Sequence, residues 1–214
     1  MLKLTTKLLC AISLLILATS VAQAFAKQDY RYEYVDRDHT FQEKKNLVGS
    51  LYLISLAVYP LTQWDTFKDD GSFRNYKNNL GKIVFDKDEP IWNWIIHPYA
   101  GSQLFLFYRA NGFSRINSLA MSFISSALFE FTIEIYTEPA SVQDLYQTPI
   151  LGALIGIGLE EASLALLNLN NPIAKVVGHI LNPSTLFWFY EGKVMISPTV
   201  DNKKRPGLFL TAEF

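Results

Sequence analysis

The second half of this chain is punctuated in a way that leaves few folds open to it. Between Pro98 and Pro172 the sequence is cut into apolar stretches of helix length by Gly112, Pro139 and the Thr148-Pro149 pair. Proline lacks a backbone N–H and disfavours helix in the residue before it, so it opens helices or ends them. Glycine takes the left-handed position just past a helix end. The spacing predicts a helix from Pro98 to Asn111 stopped by Gly112, and a second capped by Ser114 and running to about Thr137. Ser141 and Asp144 have capping-box spacing. A third helix is expected from Thr148-Pro149 towards Asn170, and a short one from Ile173 to Leu181. Leu47 to Leu61 adds a further apolar stretch, and Asp65 to Pro90 reads as a polar loop. Near the C-terminus Leu208, Leu210, Ala212 and Phe214 alternate with Phe209, Thr211 and Glu213, the period of a strand. The expected fold is mainly α: a compact helical bundle of about five helices with a small C-terminal β element.

The N-terminus carries a positive Lys3/Lys7 region, an apolar run from Leu8 to Thr19, and Ala22-Gln23-Ala24 as a small-x-small cleavage site, the pattern of a secretory signal peptide. Cys10 lies at the start of the apolar run, not after it, which argues against a lipid anchor there. It is the only cysteine. A chain cleaved after Ala24 therefore has no disulfide, thiolate metal site or cysteine nucleophile to use. The expected organisation is a signal peptide over 1–24, a polar arm over 25–46 that begins with the Tyr30–Tyr34 patch, a helical domain over 47–182, and a β-prone segment over 183–214. The 19 basic and 20 acidic side chains leave no basic footprint for nucleic acid.

Ser118, Ser122, Ser126, Glu130, Glu134 and Glu138 recur at every fourth residue. The serine half is a small-residue face that lets another helix approach closely, and Gly152 and Gly156 are its plausible partners. The acidic half is set among Phe129, Phe131, Ile133 and Ile135. Carboxylates in such surroundings need a cation, a metal or a shared proton. Arg109 and His97 are the available cations. An antiparallel pair of helices sets Arg109 several turns from Glu130 and brings His97 nearer to Glu134 or Glu138. Glu160 and Glu161 could join from a third helix. Two readings of the group stay open. One is a buried structural hydrogen-bond network. The other is a polar site with His97, Glu130 and Glu134 as acid–base groups or metal ligands. His97 directly before Pro98, at a helix N-terminus, reads as a neutral ligand or base. His179 reads as a satisfied core residue. No His-x-x-x-His spacing, Walker loop, Gly-x-Ser-x-Gly elbow or dinucleotide fingerprint occurs, and neither a metal nor a cofactor is identified.

The order of these residues resembles a known family. Asp86-Lys87-Asp88, Asn93, His97-Pro98-Tyr99-Ala100-Gly101-Ser102 and Tyr108-Arg109-Ala110-Asn111-Gly112 are followed by Ser126, Glu130 and Glu134. Glu138-Pro139-Ala140-Ser141-Val142-Gln143-Asp144, Thr148-Pro149, Gly152 and Gly158-Leu159-Glu160 come after them. Over about residues 80–165 this is similar to the bacterial envelope family catalogued as domain of unknown function 3943, with Phe129-Glu130 in place of that family's Trp-Glu. The resemblance implies an exported envelope protein, carries no reaction, and singles out His97, Arg109, Glu130, Asp144 and Glu160 without assigning them roles. The expectation is a periplasmic or envelope-membrane protein, outer membrane favoured over inner, that associates with a membrane surface and binds lipid or an envelope partner. The alternative is a membrane-associated hydrolase or transferase acting on a lipid or glycolipid. A third reading makes Leu47 to Leu61 a membrane anchor, and a terminal strand ending in Phe214 has the look of an outer-membrane barrel strand.

Overall fold

The computed structural model describes residues 32–85 and 89–187, together with the backbone of 194–200 and 206–212. The expected signal peptide, the Asp86-Lys87-Asp88 motif and Phe214 lie outside the described residues. The described chain is mainly helical, with about seven helices where the sequence suggested five.

Helix α1 (Phe41–Thr62) begins earlier than the apolar stretch that announced it, because Thr40 and Glu43 form a reciprocal capping box. The expected polar loop instead holds two short helices, α2 (Trp64–Asp69) and α3 (Phe73–Asn79), the second capped by Ser72. Tertiary contacts override the loop-like composition here. The Tyr136 ring stacks on Phe67 at 5.0 Å and meets Phe73 edge-on at 6.1 Å, and the Asn79 side chain donates to the Ile135 carbonyl. A two-residue strand β1 (Ile83–Val84) pairs in parallel with β2 (Ala140–Ser141).

Helix α4 (His97–Ala110) runs on from a π-helical turn, Trp92–Ile96, and closes at Gly112 with φ +84°, the left-handed stop that the sequence required. His97 thus does not stand at a free helix N-terminus, because its N–H already bonds to the Trp92 carbonyl. Helix α5 (Arg115–Thr132) is capped by Ser114 as expected and tightens into a 3₁₀ turn at Glu134–Tyr136. No new helix starts at Thr148-Pro149. The segment capped by Ser141 continues through a π-helical turn, Gln147–Leu151, so that Val142–Leu167 is one helix, α6. The π turn accommodates Pro149, which lacks the N–H that a regular turn would use. Asn171 caps α7 (Pro172–Leu181). The C-terminal β element is the antiparallel pair β3 (Val194–Val200) and β4 (Pro206–Ala212), in register from Val194 opposite Ala212.

The centre of the fold is the crossing of α4 and α6. A Cβ built on Gly101 would lie 1.7 Å from the Thr148 carbonyl oxygen, and one on Gly152 would lie 2.6 Å from the Gly101 carbonyl carbon. The two backbones touch with no side chain between them. Gly156 continues the contact against the Phe105 ring. Gly152 and Gly156 therefore partner α4, not the serine stripe; Ser118, Ser122 and Ser126 are buried on α5, which packs against α4, α1 and the first turns of α6. Phe105, Leu106 and Ala153 form the apolar core at the crossing.

Residues 32–40 form the extended arm that the sequence suggested, laid across the bundle. Asn168 closes a two-bond clasp on the Tyr32 backbone, the Arg37 N–H donates to the Gly112 carbonyl, and the His39 ring stacks on Phe113 at 3.6 Å.

Gly152→Ala is expected to destabilise the protein by about 3 kcal/mol or more, since its methyl group would have to displace backbone. Gly158→Ala, with nothing within 4 Å of its Cβ, is expected to be neutral or mildly stabilising. Chemical denaturation of both variants beside the parent checks the contrast.

Candidate functional site

Three buried carboxyl groups converge below the α4–α6 crossing. Glu130 and Glu134 lie four residues apart at the end of α5, on one face. Asp144 is brought to them by the first turn of α6, after the chain has reversed through Pro139 and strand β2. One oxygen from each group lies within 4.8 Å of the others, and the three residues are 2%, 7% and 4% exposed. The Ser141 N–H donates to Glu130 Oε2 at 3.2 Å. His97, at the head of α4, reaches in from the side, with Nε2 at 3.6 Å from Asp144 Oδ1. That is ion-pair distance, and longer than a direct hydrogen bond.

Burial is the main reason that these acids hold protons. It pushes Glu130 up to about 7, with the neighbouring Asp144 charge adding to the effect. It raises Glu134 well above the ordinary carboxylate range, and there the Glu130 charge is the next cause. The hydrogen bond between the two lowers Glu130 and raises Glu134. The pair therefore holds a proton between its two carboxyl groups. This is the shared proton that the sequence called for as one way to bury these acids. The same three carboxyl groups, with His97 beside them, also have the spacing and oxygen-rich character to hold a divalent cation.

Tyr59 of α1 completes this end of the site. Its hydroxyl donates to Thr137 Oγ1 at 2.6 Å, and Thr137 in turn donates to the Glu134 carbonyl. Burial raises Tyr59 above its ordinary range, so it serves as a neutral donor. Nothing in the sequence pattern marked Tyr59, because it sits on a helix with apolar residues all round.

The group opens onto two cavities. One, of about 390 Å³, lies between α1, α4 and α5 and is walled by Val48, Leu51, Leu104, Leu128 and Phe129, with His97, Glu130 and Glu134 at one end. The other, of about 450 Å³, is bordered by Thr66, Asp70, Glu89 and Glu138. Tyr59, Gln63, Trp92, His97 and Glu134 line both.

The remaining sequence candidates form a separate network. Arg109 does not meet Glu130. It makes a two-pronged pair with Glu160, at 2.8 and 3.2 Å, and a second ion pair with Asp36 of the arm at 2.7 Å. Its guanidinium also donates to the Phe113 carbonyl and lies over the Tyr34 ring. Glu160 and Glu161 are held by Arg115 and so do not join the other acids. His97 meets Asp144, not Glu134 or Glu138; Glu138 lies at the polar cavity. Of the seven expected residues, the structure thus brings His97, Glu130, Glu134 and Asp144 together, sets Glu138 at their margin, and assigns Arg109 and Glu160 to an ion-pair lock. His179 is the satisfied core residue expected. Its Nδ1–H donates to Thr185 Oγ1, and burial pushes it down to about 4.

Two outcomes follow. Arg109→Gln should cost about 3–5 kcal/mol by leaving Glu160 buried without its main partner. Asp36→Asn should cost at most about 1 kcal/mol, because that carboxylate is 58% exposed. Denaturant melts of the two variants compare them. For the acid pair, the folded state holds protons that the unfolded chain releases from 4.5 upward. The contribution of the pair to stability therefore falls as pH rises from 4.5 to about 7. Glu134→Gln is expected to flatten that slope and raise Tm at about pH 8; a lower Tm there would contradict the shared-proton account.

Residues 82–184 match the family model described as Domain of unknown function (DUF3943). No curated protein and no solved structure matches the chain.

Proposed function

We propose that this is an exported envelope protein seated at a membrane surface, and that it binds a lipid with its apolar tail between α1, α4 and α5 and its head at the His97–Glu134 end. The observation that carries the reading is the cavity itself. Its volume is in the range of roughly 300–1,000 Å³ of small-molecule sites. It is walled by apolar side chains, and it ends on ionisable groups at one end only. That polarity matches an amphiphile. Export rests on the signal-peptide pattern of the N-terminus.

Placement at a membrane surface draws on the outer faces of the helices. Ile116, Phe123, Leu154, Ile155, Ile173 and Ile180 are all exposed, apolar side chains that a membrane surface would cover. Among the described helices, Arg115–Tyr136 and Val142–Leu167 are long and apolar enough to cross a membrane by length and composition; α1, which contains Leu47–Leu61, is not one of them. The first turns Glu130 and Glu134 into the fold and the second Asp144 and Glu160, Glu161 alone of their carboxylates being exposed, and each buries a third of its apolar stretch there, which favours seating at the surface.

One observation favours a second reading. His97 beside Asp144, with a Glu130 carboxyl that titrates near neutrality at the cavity wall, has the makings of an acid–base pair for a hydrolase or transferase acting on a lipid or glycolipid.

The test is to isolate the protein from cell membranes and identify the lipid extracted from it by mass spectrometry. A near-stoichiometric lipid is expected. Ser55→Phe, which fills the cavity from its half-buried α1 wall, should reduce retained lipid by about tenfold, equal to about 1.4 kcal/mol, with Tm unchanged. A parent that carries no lipid, or a Ser55→Phe variant that carries as much, would overturn the proposal. His97→Gln separates the two readings: lipid retention persists in the first, and conversion of the bound lipid stops in the second.

A further inference from the structure

The charge around the junction of the two cavities identifies the kind of head group that fits there. Among the described residues lining either cavity there is no lysine or arginine, while Asp70, Glu89, Glu130, Glu134 and Glu138 all face them. Among those described residues His97 is the only basic side chain. Arg109 and Arg115 lie at the other end of α4 and are committed to Glu160, Glu161 and Asp36. A phosphate or carboxylate head would be taken out of water into a ring of acids, without the guanidinium forks or ammonium groups that bind such anions. A cationic head would gain the acids as partners and would meet the aromatic residues Tyr59 and Trp92, which line both cavities.

Building on the lipid-binding reading above, we propose that the amphiphile taken up between α1, α4 and α5 carries a cationic, amine-type head group, recognised at the junction of the two cavities by Glu134, Glu138 and their neighbouring carboxylates. Among the described residues, Glu130, Asp144, Asp70, Glu89, Tyr59 and His97 are the other titratable groups facing the junction; the carboxylates among them add to its attraction for a cation.

The experiment uses the full chain and three probes with the same dodecyl tail, each below its micelle concentration: dodecyltrimethylammonium, dodecyl maltoside and dodecyl phosphate. Binding is read by the fluorescence change that Trp92→Phe removes. The cationic probe is expected to bind at least about tenfold tighter than the maltoside, with the phosphate weakest. Glu134→Gln and Glu138→Gln, separately and together, are expected to bring the cationic and neutral probes towards equal affinity. Glu138 is only half-buried, so its variant keeps the test informative even if the Glu134 variant folds poorly. Equal affinity for all three probes or a tighter phosphate would overturn the cationic head while leaving the cavity a lipid site. Failure of all three probes to bind would overturn both proposals.

Discussion

Everything at this site depends on the backbone contact between Gly101 and Gly152. With no side chain on either residue, α4 and α6 approach until carbonyl and Cα atoms touch. His97 is one turn before that contact and Asp144 two turns before it, so the crossing fixes the distance between the imidazole and the carboxylate. Helix α5 then packs against both, and its last turns bring Glu130 and Glu134 to the same point. A larger residue at either glycine would move the site's two walls apart.

The fold separates its charges into two groups with opposite logic. At one end of α4, Arg109 is surrounded by acceptors, and each strong charge has an opposite partner: Glu160, Asp36, and Arg115 on Glu160 in turn. That lock ties the N-terminal arm to the bundle, and the Asn168 clasp on Tyr32 and the Arg37–Gly112 bond repeat the tie at other points. At the other end of α4, carboxyl groups are gathered with only His97 among them. Like charges held so close and so dry cannot all ionise, and a shared proton is what lets the fold keep them. An acid cluster maintained in this way, at the end of an apolar chamber, is costly to stability, which is the usual mark of a group retained for binding or chemistry.

Much of this was legible in the sequence because its signals are local. Ser114, Ser141 and Gly112 end or begin helices through bonds to residues three positions away, and the structure shows those bonds. Glu130 and Glu134 stood out because a charge flanked by phenylalanine and isoleucine must be solved somewhere in three dimensions. The partners were another matter. The clasp between Asp36 and Arg109 joins positions far apart in the chain, and neither residue has a pattern that names the other. Helices α2 and α3 were hidden because their polar sequences become helical by docking Phe67 and Phe73 on Tyr136. Pro149 looked like a helix start, since a π turn that carries the chain past a proline has no sequence signature of its own. The Thr40–Glu43 capping box, by contrast, was readable and sets the true start of α1.

The central claim is that a proton is shared inside the fold between Glu134 and Glu130 at a pH where free carboxylic acids are ionised. Infrared difference spectroscopy of the protonated carboxyl C=O stretch tests it directly. The account predicts that this band persists at about pH 6, well above the ordinary carboxylate range, and that Glu134→Gln weakens it. Its absence from the parent protein at that pH, or an undiminished band in the Glu134→Gln variant, would contradict the account.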